Sequence, residues 1–208
     1  MKAIKALLFS AVALSPVIAN AGSNWYGLVS VGQSTYDISK GDTDDSITDA
    51  GLTLLSSKLD DTDTGMKFQA GYQFSPNFAV EGGYVDLGRA NYKVDVVGGN
   101  AKLDLHAWGF NVDAVGILPV GAGFSIFGKV GGIFARVDSD ISATGANGSA
   151  SDTSGKNSFK PTFGLGAAYD LNETLSVRIE YERFADLKSE DAGSGDVDLA
   201  TIGLVAHF

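Results

Sequence analysis

From Met66 to Phe74 the chain alternates without a break: Met66, Phe68, Ala70, Tyr72 and Phe74 form one row, and Lys67, Gln69, Gly71 and Gln73 form the other. A period of two sends successive side chains to opposite faces of a strand, so this segment must lie between an apolar and a polar environment. The same pattern closes the chain, where Ala200, Ile202, Leu204, Ala206 and Phe208 alternate with Thr201, Gly203, Val205 and His207. It recurs where Val177, Ile179 and Tyr181 alternate with Ser176, Arg178, Glu180 and Glu182. Eight such runs follow one another, at 25–36, 64–74, 78–89, 103–117, 124–138, 158–171, 175–188 and 197–208. Most exceed the about 5–6 residues usual for a globular strand, and they suit the about 9–11 that a tilted strand needs to cross a bilayer.

The gaps between the runs hold 27, 3, 13, 6, 19, 3 and 8 residues, so long and short connections alternate. That is the signature of an up-and-down membrane barrel, with tight periplasmic turns, longer outer loops and an even strand count that returns both termini to the periplasm. The expected fold is all-β, an eight-stranded antiparallel transmembrane barrel. Ser75-Pro76-Asn77, the Pro/Gly break at 118–123 and Asn172-Glu173-Thr174 carry turn chemistry. The gap at 37–63 holds eight aspartates against Lys40 and Lys58, and a short helix is expected over 47–59 with Leu52, Leu55 and Leu59 on one face. The Ser/Gly-rich gap at 139–157 is read as a mobile loop.

The start of the chain reads differently. Lys2 and Lys5 precede an apolar stretch over 6–18 and an Ala19-Asn20-Ala21 cleavage signal, so 1–21 is read as a signal peptide and 22–208 as the barrel domain. Losing Lys2 and Lys5 takes the formal charge from −10 to −12, which argues against nucleic acid as a partner. With no cysteine, disulfides, thiolate metal sites and cysteine nucleophiles are excluded, and nothing in the chain calls for a metal or cofactor.

A soluble eight-stranded barrel would share the alternation but turn its oily row inward. Small residues on the polar row, such as Gly71, Gly131, Gly164 and Gly203, favour the inverted arrangement, because a narrow interior must be filled by side chains. Aromatic residues near strand ends favour it too. Trp25, Tyr72, Phe74, Phe78, Tyr169 and Phe208 fall at one rim and Tyr36, Tyr84, Trp108, Phe134 and Tyr181 at the other, as in interfacial girdles. Two residues break the pattern: Asp86 falls on the lipid row and Leu28 on the lumen row.

Residues 71–89 (GYQFSPNFAVEGGYVDLGR), the Arg178-Ile179-Glu180-Tyr181 run and the terminal Phe208 resemble the transmembrane domain of the outer-membrane protein A (OmpA) family over most of 22–208. The resemblance implies a Gram-negative outer membrane, outer-membrane lipids and lipopolysaccharide as surroundings, and insertion by the barrel-assembly machinery. Ile202, Leu204, Ala206 and Phe208 resemble the signal which that machinery reads. The peptidoglycan-binding domain of larger members is not expected, since the chain stops at Phe208.

The resemblance also singles out Glu81 and Arg178, which match an interior carboxylate–guanidinium contact that blocks or gates the family's lumen. Asp113 stands where the family has a lysine and Ala168 where it has a glutamate, which puts a two-way switch in doubt. Lys67, Lys129, Asp113 and Glu180 share the polar rows and are expected to complete the network. The function expected is a structural or surface-interaction role with a plugged lumen and no catalysis. A narrow ion channel gated by Glu81 and Arg178 is the alternative, and a lipid A-modifying enzyme using His106 beside Asp104 a remote one. His207 is expected to be solvated at the periplasmic mouth. The acidic first gap is read as a solvated loop, with divalent-ion bridging to lipopolysaccharide phosphates as its functional alternative. The ligand of the outer loops is not specified by the sequence.

Overall fold

The computed structural model describes residues 24–37, 40–49, 53–145, 148–187 and 195–208; the signal peptide read over 1–21 lies outside them. In chain order the elements are β1 (Trp25–Tyr36), α1 (Lys40–Asp49), β2 (Leu54–Asp60), β3 (Thr62–Ser75), β4 (Phe78–Val96), β5 (Gly99–Gly121), β6 (Phe124–Gly145), β7 (Gly148–Asp170), β8 (Leu175–Phe184) and β9 (Val197–His207). Antiparallel pairing runs β4-β3-β1-β9-β8-β7-β6-β5, and β5 pairs back onto β4 to close a ring of eight. Closure leaves no sheet edge inside a bilayer, where an unpaired backbone group has no water to turn to. Phe208 is held at the seam, its N–H donating to the Trp25 carbonyl at 3.0 Å.

Which row faces inward is settled by exposure. Phe134, Leu165 and Ile202 are 65 %, 66 % and 55 % exposed, whereas Lys67, Glu81 and Glu182 are 0 %, 1 % and 0 % exposed. A soluble barrel requires the reverse. Leu28 is nonetheless correctly on the inner row: it is 2 % exposed and packs in the lumen with Tyr26, Ala79, Val115, Phe127 and Val205. Asp86 does face outward, where its carboxylate accepts the Gly88 N–H at 2.8 Å and meets His106 Nε2 at 3.1 Å beside a β-bulge.

One end of the ring is made of tight turns. Asn172 fixes the β7–β8 turn by accepting the N–H groups of Thr174 and Leu175, both at 2.9 Å, which is what an Asn does in such turns. At the other end the strands run far beyond the ring, and here the structure corrects the sequence reading. The gap at 90–102 and most of that at 139–157 are strand: β4 and β5 pair to Val96↔Gly99, and β6 and β7 pair in unbroken register from Phe124↔Tyr169 to Gly145↔Gly148. The first gap holds a helix at Lys40–Asp49 and not at 47–59; Leu55 and Leu59 lie in β2, and Leu52 lies outside the described residues. β2 takes up the line of β3 and pairs with the outer half of β4, from Leu54↔Val96 to Asp60↔Asn91.

Candidate functional site: a charge layer in the barrel lumen

Each strand alternates, so its inward residues stack as levels of the lumen. At the level of the middle of the ring, β3 supplies Lys67 and Gln69, β4 Glu81, β5 Asn111 and Asp113, β6 Lys129, β7 Thr162, and β8 Arg178, Glu180 and Glu182. All are buried. The structure thus brings together all six residues singled out for a charge network, with Lys129 as its hub. Its ammonium lies 2.9 Å from Glu180 Oε1, 3.2 Å from Glu81 Oε2, 3.6 Å from Asp113 Oδ2 and 3.8 Å from Glu182 Oε2. Arg178 is bidentate on Glu81, at 2.5 and 3.3 Å, and its Nε stands 3.3 Å from Glu180 Oε2. The guanidinium also lies 3.8 Å over the Phe127 ring. Lys67 bridges Glu180 and Glu182 at 2.9 and 2.8 Å.

Neutral groups hold the carboxylates in place. Tyr26 donates to Glu81 Oε1 at 2.6 Å, Asn111 to Asp113 Oδ2 at 2.5 Å, and Thr162 to Asp113 Oδ1 at 2.6 Å. The Tyr26 ring can reach across β3 only because residue 71 is glycine, where a Cβ would run into the ring. Sequence reasoning passed over Tyr26, Asn111, Thr162 and Glu182. Glu182 carried a usable signal, being in the same parity row as Arg178 and Glu180; Tyr26 carried none, since nothing in the sequence says that its hydroxyl meets Glu81.

Above and below, the lumen turns apolar. Towards the turns lie Tyr26, Leu28, Ala79, Val115, Phe127 and Val205. Tyr26, Val115, Phe127 and Val205 line a vestibule of about 390 Å³ that opens among the turns, carries Ser176 and His207 on its wall and ends at Glu81 and Arg178. His207 lies at the turn-side mouth, as expected, but is half-buried, with Nε2 3.3 Å from Ser176 Oγ. On the other side, Val85, Leu87, Ile133, Phe184 and Leu199, all 0 % exposed, close over the charges. Tyr36 belongs to this inner layer and not to a girdle: it is buried and donates to the Gly88 carbonyl at 2.8 Å.

The remaining sequence-derived sites are on the outer wall. Trp25 and Tyr72 meet at 5.1 Å and Phe74 and Phe78 stack at 6.3 Å near the turn end. Tyr169 packs on Phe124 at 4.5 Å at that end, and Tyr84 on Trp108 at 6.1 Å at the opposite rim, where Tyr181 is also exposed. Ile202 and Leu204 are exposed on β9, while Ala206 and Phe208 are partly covered. His106 pairs with Asp86 and not with Asp104, which instead bonds Lys102. Among the described residues, no group of three or more His, Asp or Glu side chains is placed to hold a metal ion.

Comparison with known proteins gives the arrangement a context. Residues 20–208 match the OmpA-like transmembrane domain family. Outer membrane protein A of Shigella flexneri is 27 % identical over 160 residues, 77 % of this chain and 41 % of that protein. Outer membrane protein A of Klebsiella pneumoniae is 32 % identical over 114 residues, 54 % of this chain and 31 % of that protein. The chain therefore spans well under half the length of these relatives. Among solved structures, the attachment invasion locus protein Ail of Yersinia pestis, in complex with the heparin analogue sucrose octasulfate, aligns with a TM-score of 0.50 at 15 % identity. That alignment covers 89 % of this chain and 99 % of that one, and it speaks for the fold alone.

Proposed function

We propose, from the premise that the chain belongs to the OmpA-like transmembrane domain family of Gram-negative outer-membrane barrels, that it is a structural barrel whose lumen is plugged by the charge layer. Its outward contacts fall to the strands that extend beyond the ring. The observation that carries the reading is Lys129, whose ammonium has four carboxylates within 3.8 Å on a side chain that is 1 % exposed. A lumen in which every cation is shared between acids is cohesive, because freeing any one group would strand a buried charge. Filled eight-stranded barrels have no room for a pore. Planar-bilayer recording tests the plug: silence is expected from the native protein and from Arg178→Ala, and steady native conductance overturns it.

A second reading, a narrow channel controlled at Glu81 and Arg178, draws on the vestibule that reaches this pair from the turn side. It requires native conductance that changes on Arg178→Ala. Lipid A modification at His106 has weaker support, since among the described residues the hydrogen-bond partner of its ring is the Asp86 carboxylate and not a hydroxyl nucleophile. Modification that His106→Ala abolishes would restore it. Outer-membrane lipids and lipopolysaccharide contact the apolar wall in this proposal, with Trp25, Tyr72, Phe74, Phe78, Tyr84, Trp108, Tyr169 and Tyr181 at the two interfaces. Ile202, Leu204, Ala206 and Phe208 serve as the strand that the barrel-assembly machinery receives. The extracellular ligand is left open, the heparin analogue being a property of the Ail complex.

A further inference from the structure

We infer that the lumen is one-sided: the periplasmic vestibule leads up to the charge layer, and the apolar layer above it, not the Glu81–Arg178 pair, is the barrier to the outside. The inference rests on the closed-barrel reading and locates the closure. Two features of the structure carry it. The vestibule has the turn residues Pro76, Gly121 and Asn172 at its mouth and Glu81 with Arg178 at its inner end, so from the turn side an open cavity leads past Tyr26, Val115, Phe127 and Val205 to the ion pair. The extracellular approach meets Val85 and Leu87 from β4, Ile133 from β6, Phe184 from β8 and Leu199 from β9 before it meets the charge layer.

The apolar layer is built to be tight. A Cβ at Gly65 would fall against Leu199 Cδ1, so a missing side chain on β3 lets Leu199 of β9 reach over β1. Tyr36 spans from β1 over β3 to β4, its hydroxyl 2.8 and 3.4 Å from the Gly88 and Leu87 carbonyls. A constriction lined by such residues stops ions by excluding water, with no charge needed. Opening the ion pair would leave that layer intact. Mutations in the charge layer should therefore change access from the periplasm, and mutations in the apolar layer access from outside.

The chain has no cysteine, so one introduced thiol is an unambiguous reporter. Thr201→Cys places it in the charge layer, opposite Glu180 and two residues below Leu199 on β9. The reporter protein is reconstituted in vesicles, its orientation scored by protease cleavage of the outer β6–β7 hairpin and its fold by heat-modifiable gel migration. Silver ion is added to one side, and unreacted thiol is counted with a maleimide after unfolding. From the extracellular side the thiol is expected to be silent, to stay silent in Arg178→Gln, and to become reactive in Leu199→Ala or Phe184→Ala. From the periplasmic side, Arg178→Gln is expected to raise its reactivity. Extracellular reaction in the parent reporter or in Arg178→Gln overturns the inference, as does continued silence in both folded apolar-layer variants. Native conductance in planar bilayers would instead overturn the closed barrel itself, so the two failures are distinguishable.

Discussion

The lumen concentrates its dependence on a few side chains, and Lys129 carries the largest share. Removing one partner from a buried ion pair strands the others, at a cost of about 3–5 kcal/mol, whereas exposed pairs are worth about 0–1 kcal/mol. Lys129→Met keeps the volume of the stem but leaves Glu81, Asp113, Glu180 and Glu182 to repel one another. The expected loss, measured by denaturant unfolding in lipid vesicles, is therefore about 3–5 kcal/mol, and Arg136→Met at an exposed pair with Asp138 is expected to lose below about 1 kcal/mol. Similar losses would mean that the charge layer is wet and weakly coupled. The parity of each residue was legible in the sequence, which is why Lys67, Asp113, Lys129 and Glu180 could be picked beside Glu81 and Arg178, which the family resemblance singled out. Their connectivity was not, because it depends on which side chains reach across the ring. Lys129 stands out only once Glu180 and Glu182 from β8 are seen beside Glu81 from β4.

At the level of strands, the apolar rows locate the membrane and the structure shows where they cease to matter. β9 presents Ile202 and Leu204 outward within the ring; Ile141 of β6 is about as exposed, but it continues the inner row of Lys129 and Ile133 on the part beyond the ring, which pairs with the outer reach of β5. An arginine facing lipid at the midplane costs about 2–4 kcal/mol and near the interface about 0–1 kcal/mol. Ile202→Arg is thus expected to lower folding yield in vesicles sharply and Ile141→Arg hardly at all, even though both side chains are about half exposed, at 55 % and 49 %. Equal tolerance would place the bilayer wrongly along the strands. This distinction also explains what the sequence concealed. β1 is bounded in the sequence as in the structure, since its oily row ends with the membrane; the outer parts of β6 and β7 are rich in Ser, Gly, Ala and Thr, which signal a loop. Their strand pairing needs only backbone hydrogen bonds and a partner in register, and neither leaves a mark on hydropathy.

Over the whole molecule, ring and extension are joined by continuous strands but are held by different forces. The ring gains from closure, from its lipid-facing rows and from the charge layer; the outer β6–β7 hairpin has both faces exposed from Gly148 to Asn157. A hairpin in water without a packed face is marginally stable, so little of the ring's stability should flow from it. Replacing 139–154 with an Asn-Gly turn, which suits a tight hairpin, joins Asp138 to Gly155 near the rim, where the two already face each other. The trimmed protein is expected to insert, to show the same heat-modifiable gel migration and to unfold within about 0.5 kcal/mol of the parent, as surface changes usually do. Loss of insertion would make the hairpin part of the ring's own cooperative unit. With insertion retained, the extension is free to change its surface while the barrel beneath it stays constant, because none of the contacts of Lys129, Arg178 or Lys67 reaches beyond the ring.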